Sequence, residues 1–171
     1  MKDINIDPVY SSYATSAGIV IYLSACSNIS ITGLILDGNM NGFIFGGNWG
    51  SGRNAYELIH YGIYMIDSHD IGLNNCDVKN FACDGIYIAN LGKELKTYNI
   101  NINKVKVNFC GRNGLSWLGG ENIQVTNSVF SNQGRGKVHE SPAAGIDIEV
   151  ENNSFCRKGY FYNCTMENNV G

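Results

Sequence analysis

Apolar and polar residues alternate along this chain in short runs, and the runs come in two recurring kinds. One kind opens on glycine: Gly18-Ile19-Val20-Ile21, Gly62-Ile63-Tyr64-Met65, Gly85-Ile86-Tyr87-Ile88, Gly114-Leu115-Ser116-Trp117 and Gly145-Ile146-Asp147-Ile148. The other follows it and reads apolar-x-apolar-x-(Asn/Gly)-x-x-apolar, from Ile29 to Leu36, Ile71 to Val78, Ile100 to Val107 and Ile123 to Phe130, with a looser copy from Gly159 to Met166. A period of two is that of a strand and not of a helix. The closest glycines of the first kind, Gly62 and Gly85, are 23 residues apart. That length accommodates three short strands and three turns, which is one rung of a solenoid. Five such rungs stacked ~4.8 Å apart make a parallel β-helix.

In such a coil, alternate residues point inward and equivalent positions form columns. The alignment predicts three: Ile19, Ile63, Ile86, Leu115 and Ile146; Ile31, Leu73, Ile102, Val125 and Phe161; Leu36, Val78, Val107, Phe130 and Met166. All fifteen are apolar. Trp117 also falls on an inward position. Between the second and third strands the repeat places Gly33, Asn75, Lys104, Asn127 and Asn163, and stacked asparagines can bond up and down such a column.

Composition sharpens this picture. The chain holds 23 Asn and 21 Gly, the turn formers, and 19 Ile, a strand former. At 44% hydrophobic it is not a disordered chain, and at 16% charged with a net charge of −3 it lacks the basic stripe of a nucleic-acid binder. No run is long enough for a membrane-spanning helix. The six cysteines show no zinc spacing and mostly lie in apolar runs, so they are expected as buried free thiols.

The Gly-Ile-Tyr-Ile rungs, over about residues 16–171, resemble the right-handed parallel β-helix proteins of the pectate-lyase-like superfamily. Its members include polysaccharide lyases, glycoside hydrolases and phage tailspikes. The resemblance implies a right-handed coil and a carbohydrate cleft formed by the sheet that opens each rung (PB1) and the turn before it (T3). It allows calcium without requiring any cofactor. It implies a polysaccharide partner and an extracellular or phage-particle setting. The expected organisation is one all-β domain over 1–171: a partial rung or end segment in 1–15, five rungs in 16–171, and long loops at 37–60 and 132–144. Both loops precede a Gly-Ile strand, which is the T3 position. The open ends would be covered by flanking rungs or by partner chains, as in a homotrimer.

Two groups of candidate residues lie on the predicted PB1/T3 face. Asp147 and Glu149, two apart on one strand, would project together about 6–7 Å apart, suitable for acid/base cleavage of a glycosidic bond. His139 and Glu140 stand in the loop that feeds them. The second group is His60, Asp84, Arg112 and Asn113, on neighbouring rungs just before the glycines, with Tyr61 alongside. There Arg112 would bind a uronate carboxylate and His60 or a tyrosine would act as base, the equipment for β-elimination or epimerisation. Tyr64 and Tyr87 on adjacent rungs would offer a flat surface to sugar rings, joined by Trp49 and Arg53 from the first loop. Strand spacing puts Asp84 and Asp147 about 14 Å apart, hence in two groups. The expected function is a polysaccharide depolymerase, either a glycoside hydrolase or a lyase. The alternative is a non-catalytic carbohydrate-binding, adhesin or tail-fibre module.

Overall fold

The structure is a computed structural model that describes residues 17–43, 58–151 and 153–171. It is a right-handed parallel β-helix of five rungs. The rungs are β1 (Gly18–Ser24), β2 (Ser27–Thr32) and β3 (Ile35–Asp37); β4 (His60–Ile66), β5 (His69–Asn74) and β6 (Asp77–Lys79); β7 (Ile86–Ala89), β8 (Tyr98–Asn103) and β9 (Lys106–Asn108); β10 (Leu115–Trp117), β11 (Gly120–Thr126) and β12 (Val129–Ser131); β13 (Ile146–Ile148), β14 (Cys156–Tyr162) and β15 (Thr165–Glu167). Equivalent strands pair in parallel into three five-stranded sheets: A (β1-β4-β7-β10-β13), B (β2-β5-β8-β11-β14) and C (β3-β6-β9-β12-β15). Among the described residues the only helix is a 3-10 turn at Met40–Gly42, and no helix is long and apolar enough to cross a membrane. The expected partial rung in 1–15 and most of the first long loop lie outside the described residues.

The columns follow the sequence with one correction. In sheets B and C the predicted partners are in register, Ile31 to Phe161 and Leu36 to Met166. In sheet A the residue stacked on Ile63 is Ile21, not Ile19; Ile19 pairs with Tyr61. The Gly-Ile-x-Ile match was therefore misaligned by two residues in the first rung. A shift of two keeps the same face inward, so the alternation could not reveal it. Burial is complete in the middle rungs, where Ile63, Ile86, Leu73, Ile102, Val78 and Phe130 are inaccessible, and partial in the first and last. Each fully buried side chain of this kind contributes about 1.5–3 kcal/mol. Trp117 is in the core as expected, with its indole N–H donating to the Gly119 carbonyl at 3.0 Å. All six cysteines are free thiols.

Two residue types have a geometric reason for their abundance. The rung-opening glycines stack so closely that a Cβ on Gly62 would lie 2.5 Å from the Gly85 carbonyl oxygen, and one on Gly114 would lie 2.6 Å from that of Gly145. Asparagine serves the corners. Eleven of the eighteen non-glycine residues with left-handed backbone among the described residues are Asn. This conformation costs most L residues about 1–2 kcal/mol, and Asn tolerates it best. Most lie in three columns, one early in the sheet B strands (Asn28, Asp70, Asn99, Asn122, Lys158), one after them (Gly33, Asn75, Lys104, Asn127, Asn163) and one after sheet C (Asn80, Phe109, Asn132, Asn168). Their amides bond along the stack: Asn163 to Asn127 at 2.8 Å, Asn127 to Asn103 at 2.9 Å, Asn99 to Asp70 at 2.8 Å and Asn122 to Asn99 at 2.7 Å.

This makes a paired expectation. Asn127→Ala loses both ladder bonds and keeps the left-handed backbone, so urea titration should show a loss of about 1–2 kcal/mol. Lys104→Asn fills the gap in the same column and should stabilise by several tenths of a kcal/mol or more.

Candidate functional site

The outer face of sheet A carries one row of side chains across all five rungs. Register sets it as Tyr22, Tyr64, Tyr87, Ser116 and Asp147. The two-residue shift puts Tyr22, and not Val20, beside Tyr64. Four intervals of ~4.8 Å give the row a length of about 19 Å.

At one end the row is aromatic. Tyr64 and Tyr87 stack at 4.2 Å with their planes 10° apart, and Tyr61 meets both edge-on at 5.2 and 5.6 Å. The faces of Tyr64 and Tyr87 that were expected to receive sugars are thus turned toward each other. Tyr22 stands tilted by 51° at 5.6 Å from Tyr64 and is 57% exposed. Between them opens a cleft of about 360 Å³ lined by Ile19, Tyr22, Ile59, Tyr61, Tyr64 and Tyr87. Burial pushes the phenols of Tyr61, Tyr64 and Tyr87 above their ordinary proton affinity, so all three stay neutral hydroxyls. A tyrosine base needs a shift in the other direction.

At the other end the row is polar and rests on a buried ion pair. Asp84 has no solvent exposure. Its Oδ1 accepts from Arg112 Nε at 2.8 Å and from the Asn113 backbone N–H at 2.9 Å; its Oδ2 accepts from Arg112 Nη2 at 2.6 Å and from the Ser116 hydroxyl at 3.0 Å. Burial pushes the Asp84 proton affinity up, helped by Glu140 and Asp147, while the Asn113 and Ser116 donors oppose it. The contacts decide the charge. Three of the four are obligate donors, the two guanidinium N–H groups and the Asn113 N–H, and the group is held as a carboxylate against a bidentate guanidinium.

Asn113 ties the two expected groups into one. Its Nδ2 donates to Ser116 Oγ and to Asp147 Oδ2, both at 3.0 Å, and its Oδ1 accepts from the Ala144 N–H at 2.9 Å. Asp84 and Asp147 are therefore linked through a single residue. Strand spacing separated them because it measures backbone positions and ignores the amide on the rung between. Asp147 is half-buried and its bond runs to Asn113; Glu149 is exposed just past β13.

His60, expected beside Asp84, is buried elsewhere. Its Nδ1 accepts from the Ala82 N–H at 3.0 Å and its ring packs between Phe43 and Phe81, with centroids 5.6 and 5.1 Å away. Burial lowers its proton affinity, as in a neutral core histidine. His139 is exposed and lies against Gly134. Trp49 and Arg53 lie outside the described residues.

Glu140 turns out to be a strut. It is buried, and its Oε1 accepts from the Leu58 N–H at 3.1 Å, while Oε2 has no hydrogen-bond partner among the described residues. Val138 from the same loop packs with Met40, Leu58 and Ala82, and Lys137 donates to the Phe43 carbonyl. The second long loop thus straps the first across three rungs. Sequence placed both loops on one edge but held no sign of their contact. Burial raises the Glu140 proton affinity to about 7, above that of an unfolded glutamate. The folded state therefore holds the proton more tightly. Stability from this group is fully present below the unfolded value near 4.3 and is lost as pH rises toward 7. Urea midpoints measured across that window should fall more steeply for the native protein than for Glu140→Gln.

Among the described residues no group of three or more His, Cys, Asp and Glu is placed to hold a metal ion. Comparison with family models, with curated proteins and with solved structures finds no match to this chain.

Proposed function

We propose that the protein is a carbohydrate-active β-helix, akin in plan to the pectate-lyase-like superfamily, and that it holds a polysaccharide along the outer face of sheet A. The observation that carries this reading is the continuous row Tyr22-Tyr64-Tyr87-Ser116-Asp147. It offers an aromatic cleft at one end and the half-buried Asp147 carboxylate at the other, with Ser116 buried between them. Concave sites lined by aromatics with a few placed polar groups are the usual form of small-ligand and glycan subsites. The Asp84–Arg112–Asn113 network beneath makes the polar half rigid, which lowers the ordering cost of binding.

Turnover is the second reading, and one residue favours it. Asp147 is half-buried, held by Asn113, and open to the face where a glycosidic oxygen would lie. It would serve as acid or base in a depolymerase, with Glu149 as the second carboxylate. The test is affinity electrophoresis through gels cast with soluble polysaccharides, run beside an assay for new reducing ends and for unsaturated ends. Retardation supports the binding face. Reducing ends that vanish in Asp147→Asn, with retardation kept, add the depolymerase. Free migration through every gel overturns the proposal.

A further inference from the structure

The charges on this face define what kind of glycan fits it. Among the described residues, Arg112 is the cation of the network beneath the row's polar half, and its guanidinium is already closed on Asp84 through two bonds of 2.8 and 2.6 Å. Its side chain is only 11% exposed. A sugar carboxylate arriving here would have to displace a buried carboxylate from its fork. The five strands of sheet A contain no Lys or Arg. Around Arg112 the half-buried Asp147 and the exposed Glu149 and Glu151 are each close enough to act on its charge. The pair Asp84–Arg112 cancels, so the charges that the described residues add to this face are negative.

The tyrosine cleft adds the second half of the argument. None of its six lining residues is charged. Tyr22 presents an exposed ring at its mouth, and the hydroxyl-bearing side chains of Tyr61, Tyr64 and Tyr87 lie within it. Such a cleft takes the apolar face of a pyranose and bonds its hydroxyls, and it offers no positive charge to pair with an anion.

We infer that the sheet A face is selective for a glycan without carboxylates, built from neutral or amino sugars, and that it excludes polyuronates. This rests on the glycan-binding reading above and narrows it. Like charges set against each other across an interface cost affinity and act as the device of exclusion.

The experiment is a binding panel at low salt, where exposed charges act most strongly. The intact protein is run in affinity gels containing a soluble neutral glucan, a mannan, a chitosan oligomer mixture, polygalacturonate or alginate. The expected result is retardation by at least one of the first three and none by the last two. Tyr22→Ala, a change at an exposed ring, should weaken the retained glycan about tenfold. Retardation by polygalacturonate or alginate as strong as by any carboxylate-free glycan overturns the inference and leaves the glycan-binding reading standing. No retardation in any gel overturns both. Retention unchanged in Tyr22→Ala overturns the assignment of the cleft.

Discussion

Asp84→Ala should destabilise the protein by about 3–5 kcal/mol in urea unfolding, because it removes the buried carboxylate that holds Nε and Nη2 of Arg112, a side chain only 11% exposed. It also removes the acceptor for the Asn113 N–H and the Ser116 hydroxyl. The double variant Asp84→Leu/Arg112→Leu separates two accounts of the pair. If the pair is scaffolding, replacing both charges with apolar side chains should recover most of the lost stability, since well-packed replacements of buried ion pairs are often neutral or better. Glycan retention should then survive, weakened by the looser hold on Asn113 and Asp147. A stable double variant that has lost all glycan binding would show instead that the pair itself meets the ligand.

Phe130→Ala should cost a similar amount, about 3–5 kcal/mol, by opening a cavity in the middle of the sheet C column. Phe130 is inaccessible, with Val107 on one side and Met166 on the other. Met166 belongs to the same column but is 53% exposed in the last rung. Met166→Ala should therefore cost no more than about 0.5 kcal/mol. The contrast tests the stacking order, because the two residues are equivalent in the repeat and, besides being phenylalanine and methionine, differ in that Phe130 is paired on both sides. Equal costs for both would contradict the order of rungs described.

The fold was legible because each rung repeats the same statement. Inward Ile, Val, Leu and Phe recur at fixed offsets, and a strand period of two leaves little freedom about which face they occupy. The register of the first rung was not legible for that same reason: Ile19 and Ile21 satisfy the alternation equally well. The asparagine wealth was read as a hydrogen-bonded ladder, which is half of its cause. The other half is the left-handed backbone at three corners, which no pattern of hydrophobic residues encodes.

The site was less legible than the fold. Asp84, Arg112, Asn113 and Asp147 could be picked out, since few charges fall on that edge. Their connection could not, because it depends on where the Asn113 amide reaches from the intervening rung. His60 occupies the right place in the repeat and the wrong side of the chain, a distinction made by the Ala82 N–H and the two phenylalanine rings. The strut from Glu140 to Leu58 joins residues 82 apart in sequence. No local signal marks such a pair.

The central claim is that the outer face of sheet A is the ligand face. Amide hydrogen exchange with and without the glycan retained in the binding panel tests it most directly. The account predicts added protection in β1, β4 and β7 around Tyr22, Tyr64 and Tyr87, extending to Ser116 and Asp147, with sheet B unchanged. Protection centred instead on the outer face of sheet B, around Gln124 and Tyr160, would contradict it.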